Sequence, residues 1–282
     1  MATMLERIPD LPVHFDDDVI ALLEKVGEGD ILPYFQNLQE PDIQTKSSAT
    51  DFVTIADKKA EKRLIGGLQR LLPDARFVAE ENTAQFGLPA ALDSGFVWTI
   101  DPLDGTRNFV KGNAEFCSML GLLYNGVPIA AWVHKPLSKE SVIAHSGQHP
   151  RHIASGGQVQ ICAGRTDNAP LEHLRGNMNA MGFTTDIRDR VREKLKTLKG
   201  RFHVGSAGVE AMNIACGRSD YLMHSKLTYW DSVPVVMVLD ALGYHVRLGP
   251  SGRRYKAGDK GVLLAAPTPL VWKQLVDFVW SA

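Results

Sequence analysis

The stretch Phe96-Val97-Trp98-Thr99-Ile100-Asp101-Pro102-Leu103-Asp104-Gly105-Thr106-Arg107-Asn108-Phe109 constrains this chain more than any other. Its first part is a run of β-branched and aromatic residues without a polar break, the pattern of a buried strand. Asp101 falls at the C-terminal end of that strand. Pro102 keeps the backbone extended, and Asp104-Gly105 is a turn signal. Thr106 can open a helix, whose first amides have no partner of their own and suit an anion. Two carboxylates and a set of free N–H groups thus share one small space. Close carboxylates repel unless a cation sits between them, so a divalent metal with an amide cradle for phosphate is the economical reading. Taken alone, the same residues also describe a strand followed by an acidic surface turn, with Asp104 as an ordinary helix cap.

Partners elsewhere decide between the two. Upstream lie Asp51-Phe52-Val53-Thr54-Ile55-Ala56-Asp57 and Val78-Ala79-Glu80-Glu81-Asn82; downstream lie Gly205-Ser206-Ala207 and Trp230-Asp231. With Asp101-Pro102-Leu103-Asp104-Gly105-Thr106 these make five motifs that, in order and over roughly residues 15–280, resemble the inositol monophosphatase family of magnesium-dependent, lithium-sensitive phosphatases.

The resemblance implies roles residue by residue. Glu80, Asp101 and the Leu103 carbonyl would hold one metal ion. Asp101, Asp104 and Asp231 would hold a second, with Asp101 bridging, and a third, weaker ion would sit near Glu80. The side-chain ligands are all carboxylates, and hard oxygen donors without imidazole or thiolate point to Mg²⁺, with Mn²⁺ next, rather than zinc. The implied reaction is hydrolysis of a phosphate monoester by a metal-activated water. Glu80, Thr106 and Asp57 form the implied catalytic set, Thr106 Oγ positioning the water and Asp57 standing behind it. The Gly105 and Thr106 amides would hold phosphate oxygens. Asp104, Ala207 and Asp231 would face the sugar or polyol, Glu81 would support the ligands from behind, and Asp51 would lie near the site.

One position departs from the family. Members acting on inositol phosphates carry a glutamate seven residues before the last motif aspartate, in contact with substrate hydroxyls; here that residue is His224, followed by Ser225 and Lys226. A carboxylate accepts from two hydroxyls where a neutral imidazole accepts from one. Inositol 1-phosphate is therefore expected to be a mediocre substrate, and a protonated His224 near Lys226 to favour an extra anionic group. The leading expectation is a phosphomonoesterase for a small polyol or sugar phosphate. Histidinol phosphate, fructose bisphosphate and a 3′-phosphonucleotide are alternative substrates, and a regulatory protein binding transcription or RNA machinery, such as RNA polymerase, is an alternative class.

Composition narrows the remaining classes. The formal charge of the 282 residues is −1, which gives no bulk field for nucleic acid or a membrane surface. Cys117, Cys162 and Cys216 are odd in number and far apart, fitting neither a disulfide framework nor a zinc spacing. No apolar run reaches membrane-spanning length and the acidic N-terminal stretch lacks a signal-peptide core, so the expected compartment is the cytoplasm. The family also implies a homodimer.

Along the chain, Asp16 to Val26 reads as a helix with an acidic first turn, 38–50 as loop, and 57–72 as the clearest helix. A strand at Phe77 to Ala79 delivers Glu80, and 83–94 reads as surface loop. Asn125-Gly126 marks a hairpin between strands 119–124 and 128–134, with a third strand at 141–145. The Gly-, Ser-, His- and Pro-rich stretch 146–157 is the expected boundary between halves of one domain, roughly 1–148 and 155–282, with the site between them. His145, His149 and His152 lie close together there; a metal site is conceivable, but with no carboxylate or cysteine joining them a solvated loop is the expectation. Beyond it come a strand at 158–163, a helix at Leu171 to Met181, a basic helix at 188–201, a helix at 209–215, a strand at 221–223, a helix opened by Asp231, strands at 244–247 and 261–266, and a closing helix at 267–280. The basic helix could face solvent or a polyanion. The hairpins disfavour a purely doubly wound parallel sheet, so the expected class is mixed α/β (α+β), and the resemblance implies an alternating α-β-α-β-α sandwich.

Overall fold

The computed structural model describes residues 8–45, 52–90, 92–198, 200–201 and 203–281, so residues 46–50 of the expected loop and the expectation for Asp51 lie outside the described residues. Helix α1 (Phe15–Val26) carries Asp16, Asp17 and Asp18 in its first turn, where the helix dipole favours negative charge, and buries Phe15, Val19, Leu23 and Val26. Strands β1 (Ile43–Thr45) and β2 (Phe52–Thr54) pair antiparallel, so the loop expected over 38–50 contains a strand. Helix α2 (Ile55–Leu71) opens with a reciprocal cap between Thr54 and Asp57.

Strand β3 (Arg76–Ala79) runs directly into helix α3 (Glu80–Phe86), which occupies part of the loop expected at 83–94. Strand β4 (Phe96–Asp104) passes through Gly105 into helix α4 (Thr106–Val110). Strands β5 (Cys117–Tyr124) and β6 (Val127–Lys135) form the expected hairpin; Asn125 and Gly126 both have positive φ, 49° and 75°, as a two-residue primed turn requires. Strands β7 (Glu140–His145), β8 (Arg151–Ile153) and β9 (Val159–Ile161) complete a seven-stranded sheet of order β3-β4-β5-β6-β7-β8-β9, in which only β3 and β4 are parallel.

The stretch 146–157 therefore carries a strand of this sheet, and the chain leaves the sheet only after Ile161. His149 is exposed as expected, but His145 is half-buried and His152 buried. His145 Nε2 lies 2.9 Å from Asp16 Oδ1, which also accepts from Trp132 Nε1 at 3.0 Å, while Asp16 Oδ2 receives Arg151. One half-buried carboxylate thus ties α1 to β6, β7 and β8.

A short 3₁₀ turn at Leu171–His173 and strand β10 (Gly176–Asn179) replace the helix expected at Leu171 to Met181. Helices α5 (Thr185–Leu195) and α6 (Ala207–Ala215), strand β11 (Tyr221–His224), helix α7 (Tyr229–Ala241), strands β12 (His245–Gly249) and β13 (Val262–Ala266), and helix α8 (Pro269–Trp280) follow. The second sheet has the order β10-β11-β13-β12.

Burial fixes the layers. Leu23, Leu64 and Leu68 of α1 and α2 pack against Trp98, Ile100 and Trp132 on one face of the large sheet. Helices α6 and α7 lie between the two sheets, and α7 buries Val233, Val235, Val236, Val238 and Leu239 all round, as a helix covered on both sides must. Helices α5 and α8 close the outer face of the small sheet. The result is the expected mixed α/β, α-β-α-β-α sandwich. Among the described residues no helix is long and apolar enough to cross a membrane.

One interior group makes stability depend on pH. Burial, then the Lys139 charge, pushes the His134 imidazole down to about 4, against a weaker opposing pull from Glu28. His134 is 1% exposed and its Nδ1 lies 2.8 Å from Ser141 Oγ across β6 and β7. Between pH 6.5 and about 4 the unfolded chain takes a proton that the folded chain refuses. Stability therefore falls on acidification through that window, by at most about 3.5 kcal/mol at about 1.4 kcal/mol per unit. Urea midpoints at pH 7 and 4.5 should fall less steeply in His134→Gln than in the wild type; equal falls would refute the assignment.

Candidate active site

The site grows from an irregularity in β4. Pairing with β5 runs in register to Asp101↔Met119 and resumes at Asp104↔Cys117 after a shift. Pro102, which cannot donate to a ladder, sits inside that shift, and its carbonyl accepts from Ser118 Oγ at 2.7 Å. Leu103 N donates to Asp101 Oδ1 at 3.0 Å, so the carboxylate shapes its own turn. Gly105 has φ 89°, and a Cβ there would stand 2.9 Å from Glu115 O and 3.1 Å from Ser206 Cβ. Only glycine meets both demands.

The carboxylates then arrive from three directions. Asp101 and Asp104 stand on β4, 3% and 8% exposed. Asp231 comes from the first turn of α7. The cap of that helix is Thr228, not Asp231 as expected: Thr228 Oγ accepts from Asp231 N at 3.2 Å and donates to Asp231 Oδ2 at 2.7 Å. One oxygen from each of Asp101, Asp104 and Asp231 lies within 4.8 Å of the others. Glu80, the first residue of α3, lines the same cavity of about 480 Å³.

These charges are costly to hold together. Burial, then Glu80, Asp104, Asp231 and Asp57 in turn, raises the Asp101 carboxyl well above the ordinary range. Burial and Asp231 raise Asp104 to about 6, against hydrogen bonds from Ser206 Oγ and from the Gly208 and Ala207 amides. Such a cluster calls for a cation, and an all-oxygen donor set fits a hard divalent ion such as Mg²⁺. Asp101, Asp104 and Asp231 are able to hold it, and Glu80 and Leu103 line the same cavity.

Behind the carboxylates lies a hydroxyl relay. Thr106 Oγ is 3.1 Å from Asp57 Oδ1 and 2.9 Å from Leu103 O. Asp57, fully buried, accepts from Thr54 N at 2.7 Å and Thr54 Oγ at 2.6 Å through its other oxygen.

Glu80, Asp101, Leu103, Asp104, Gly105, Thr106 and Asp231 all line the cavity, and Asp57 lies behind it. Two expected substrate contacts do not line it. Ala207 sits at the first turn of α6, its amide on Asp104. His224 is 6% exposed, with Nε2 2.7 Å from Glu210 Oε2. Burial would lower its pKa, but the Glu210 bond and charge outweigh this and raise it. A carboxylate on α6 has captured the ring and holds it out of the cavity.

Sequence reasoning missed three supports. Ser206 caps α6 and donates to Asp104 Oδ2 at 2.6 Å, joined there by Gly208 N at 2.7 Å. Glu61, 3% exposed, accepts from the Glu81 and Asn82 amides at 2.7 and 2.8 Å and so sets the start of α3 beside Glu80. Its position on the stripe Asp57, Ala60, Glu61, Leu64, Leu68 was the available signal, since a glutamate on a buried face needs a partner. Glu210, buried and 14 residues from His224, gave no local signal.

Comparison with known proteins identifies the family and the fold. The chain matches the model of the inositol monophosphatase family over residues 19–278. It is 31% identical to the inositol-1-monophosphatase of Bacillus subtilis over 209 residues, 71% of this chain and 74% of that one. It is 29% identical to the Nus factor SuhB of Xylella fastidiosa over 207 residues, 71% and 70% of the two chains. A solved Thermotoga maritima IMPase superposes with a TM-score of 0.79 at 25% identity, covering 95% of this chain and 97% of that one.

Proposed function

The chain belongs to the inositol monophosphatase family of metal-dependent phosphatases, and from that premise we propose that it hydrolyses a small polyol or sugar phosphate, with Mg²⁺ held by Glu80, Asp101, Leu103, Asp104 and Asp231. The convergence of three aspartates within 4.8 Å, two of them buried, is the observation that carries this reading. Magnesium at these carboxylates supplies positive charge to the phosphate oxygens and acidifies the attacking water. Asp57 Oδ1 orients the Thr106 hydroxyl, which accepts a proton from that water as it passes its own to Asp57. The Gly105 and Thr106 amides bind phosphate oxygens. Ser206 Oγ and Gly208 N hold Asp104 Oδ2 and so fix the carboxylate.

Phosphate release from a panel of esters, titrated with Mg²⁺, tests the reading. Hydrolysis should require the ion, vanish in chelator, and show uncompetitive inhibition by Li⁺. No release from any ester at saturating Mg²⁺ or Mn²⁺ would sink it. The likeness to a protein named Nus factor SuhB supports a second reading, association with transcription machinery. Stoichiometric polymerase capture with negligible turnover would favour that one.

A further inference from the structure

The cavity wall holds two cations whose charge nothing in the site uses. Arg107 follows Thr106 on α4, and Lys226 lies between β11 and α7, so each large layer of the fold contributes one. Both are exposed, and among the described residues neither side chain forms a hydrogen bond or ion pair. Arg63, Arg151, Arg165, Arg218 and Arg253 each meet a carboxylate, whereas Arg107 stays open although Asp101 and Asp104 line the same cavity.

Two further observations concern what lies between the cations and the acidic floor. Asn179, at the end of β10, lines the wall; its Oδ1 accepts from Met181 N at 2.9 Å, which leaves its amide N–H groups to donate to a ligand. Phe52 and Trp230 line the same wall and offer apolar faces to a carbon skeleton. His224 is bonded to Glu210 and contributes nothing. The wall outside the metal-binding floor thus offers hydrogen-bond donors and positive charge.

Building on the phosphatase reading, we infer that Arg107 and Lys226, with Asn179, form a subsite for a second anionic group, so that the substrate is a small phosphate monoester bearing a further phosphate or carboxylate. The cleaved phosphate sits on the acidic floor with the metal. The second anion sits at the rim, where a planar guanidinium pairs well with either oxyanion.

Binding and kinetics test this together. Titration calorimetry in Mg²⁺ would compare a four-carbon bisphosphonate, the matching phosphonocarboxylate and the monophosphonate, none of which can be hydrolysed. The wild type should bind at least one ligand bearing two anionic groups about tenfold or more tightly than the monophosphonate, the order expected of charge-assisted hydrogen bonds. Arg107→Gln and Lys226→Gln should each erase most of that preference. Which of the two ligands gains identifies the second group. In turnover, kcat/KM for fructose 1,6-bisphosphate should fall in these variants about tenfold more than for fructose 1-phosphate, mainly through KM. Equal falls for all ligands would place the cations on the transferred phosphate and overturn the inference, as would no preference in the wild type. Failure of the phosphatase reading looks different: the wild type would release no phosphate from any ester of the panel, while the phosphonate titrations would still decide the subsite.

Discussion

Asp101→Asn is expected to lower Mg²⁺-dependent turnover by at least about 10³-fold, roughly 4 kcal/mol of barrier, while leaving the metal-free protein as stable as the wild type or more so. The asparagine keeps the shape of the side chain and can still accept from Leu103 N, so the turn after Ile100 should survive. What it loses is a charge that burial and four carboxylates already oppose. Without metal that loss relieves repulsion; with metal it would remove one of the proposed ligands. Thermal melts separate the two effects. Ligand binding to the native state raises the wild-type midpoint with Mg²⁺ concentration, and the variant should gain much less. Asp104→Asn should be milder, because its amide oxygen can keep the Ser206 and Gly208 bonds while one charge goes. Near-native turnover by Asp101→Asn at ordinary Mg²⁺ would refute the site.

The elements legible in the sequence were those whose signal is local. The strand into Asp101, the stripe of α2 and the Asn125-Gly126 hairpin each rest on a few adjacent residues, and the structure places them where they were expected. The failures come from competition at a distance. Leu171, Leu174, Met178 and Met181 recur at helical spacing, yet Gly176 to Asn179 pair in parallel with Tyr221 to His224. Gly176 shows why: a Cβ there would stand 2.4 Å from Tyr221 O, so the close strand approach uses the glycine that also weakens the helix. The Gly-, Ser- and His-rich stretch at 146–157 looked like a break because turn residues outnumber its three strand residues. At the site, the five motifs gave the residues that converge on one cavity. They could not show that His224 is held by Glu210, because that pairing joins a strand to a helix in the layer beneath it.

Asp57→Asn and Thr106→Val should each lower kcat by about 10² to 10³-fold with little change in KM, the range for losing a positioned proton acceptor or its partner. The argument turns on how many acceptors Asp57 must supply. One oxygen serves the Thr54 amide and hydroxyl, and the other serves Thr106. Asparagine has a single oxygen. Turning its NH₂ toward the Thr54 amide would set two donors face to face, so the oxygen should stay on Thr54 and the NH₂ should meet Thr106. The Thr106 proton then points to Leu103 O, already 2.9 Å away, and the hydroxyl has lost the acceptor that made it useful. The helix cap survives this exchange, so Asp57→Asn should cost only about 1 kcal/mol of stability, whereas Asp57→Ala strips the cap as well and should cost about 2–3 kcal/mol. Because both substitutions break one relay, the double variant Asp57→Asn/Thr106→Val should be scarcely slower than either single variant, and Thr106→Ser should restore most of the rate. If the two losses multiply instead, Asp57 and Thr106 act independently and the relay is refuted; if Asp57→Asn leaves kcat unchanged, Asp57 serves only to cap α2.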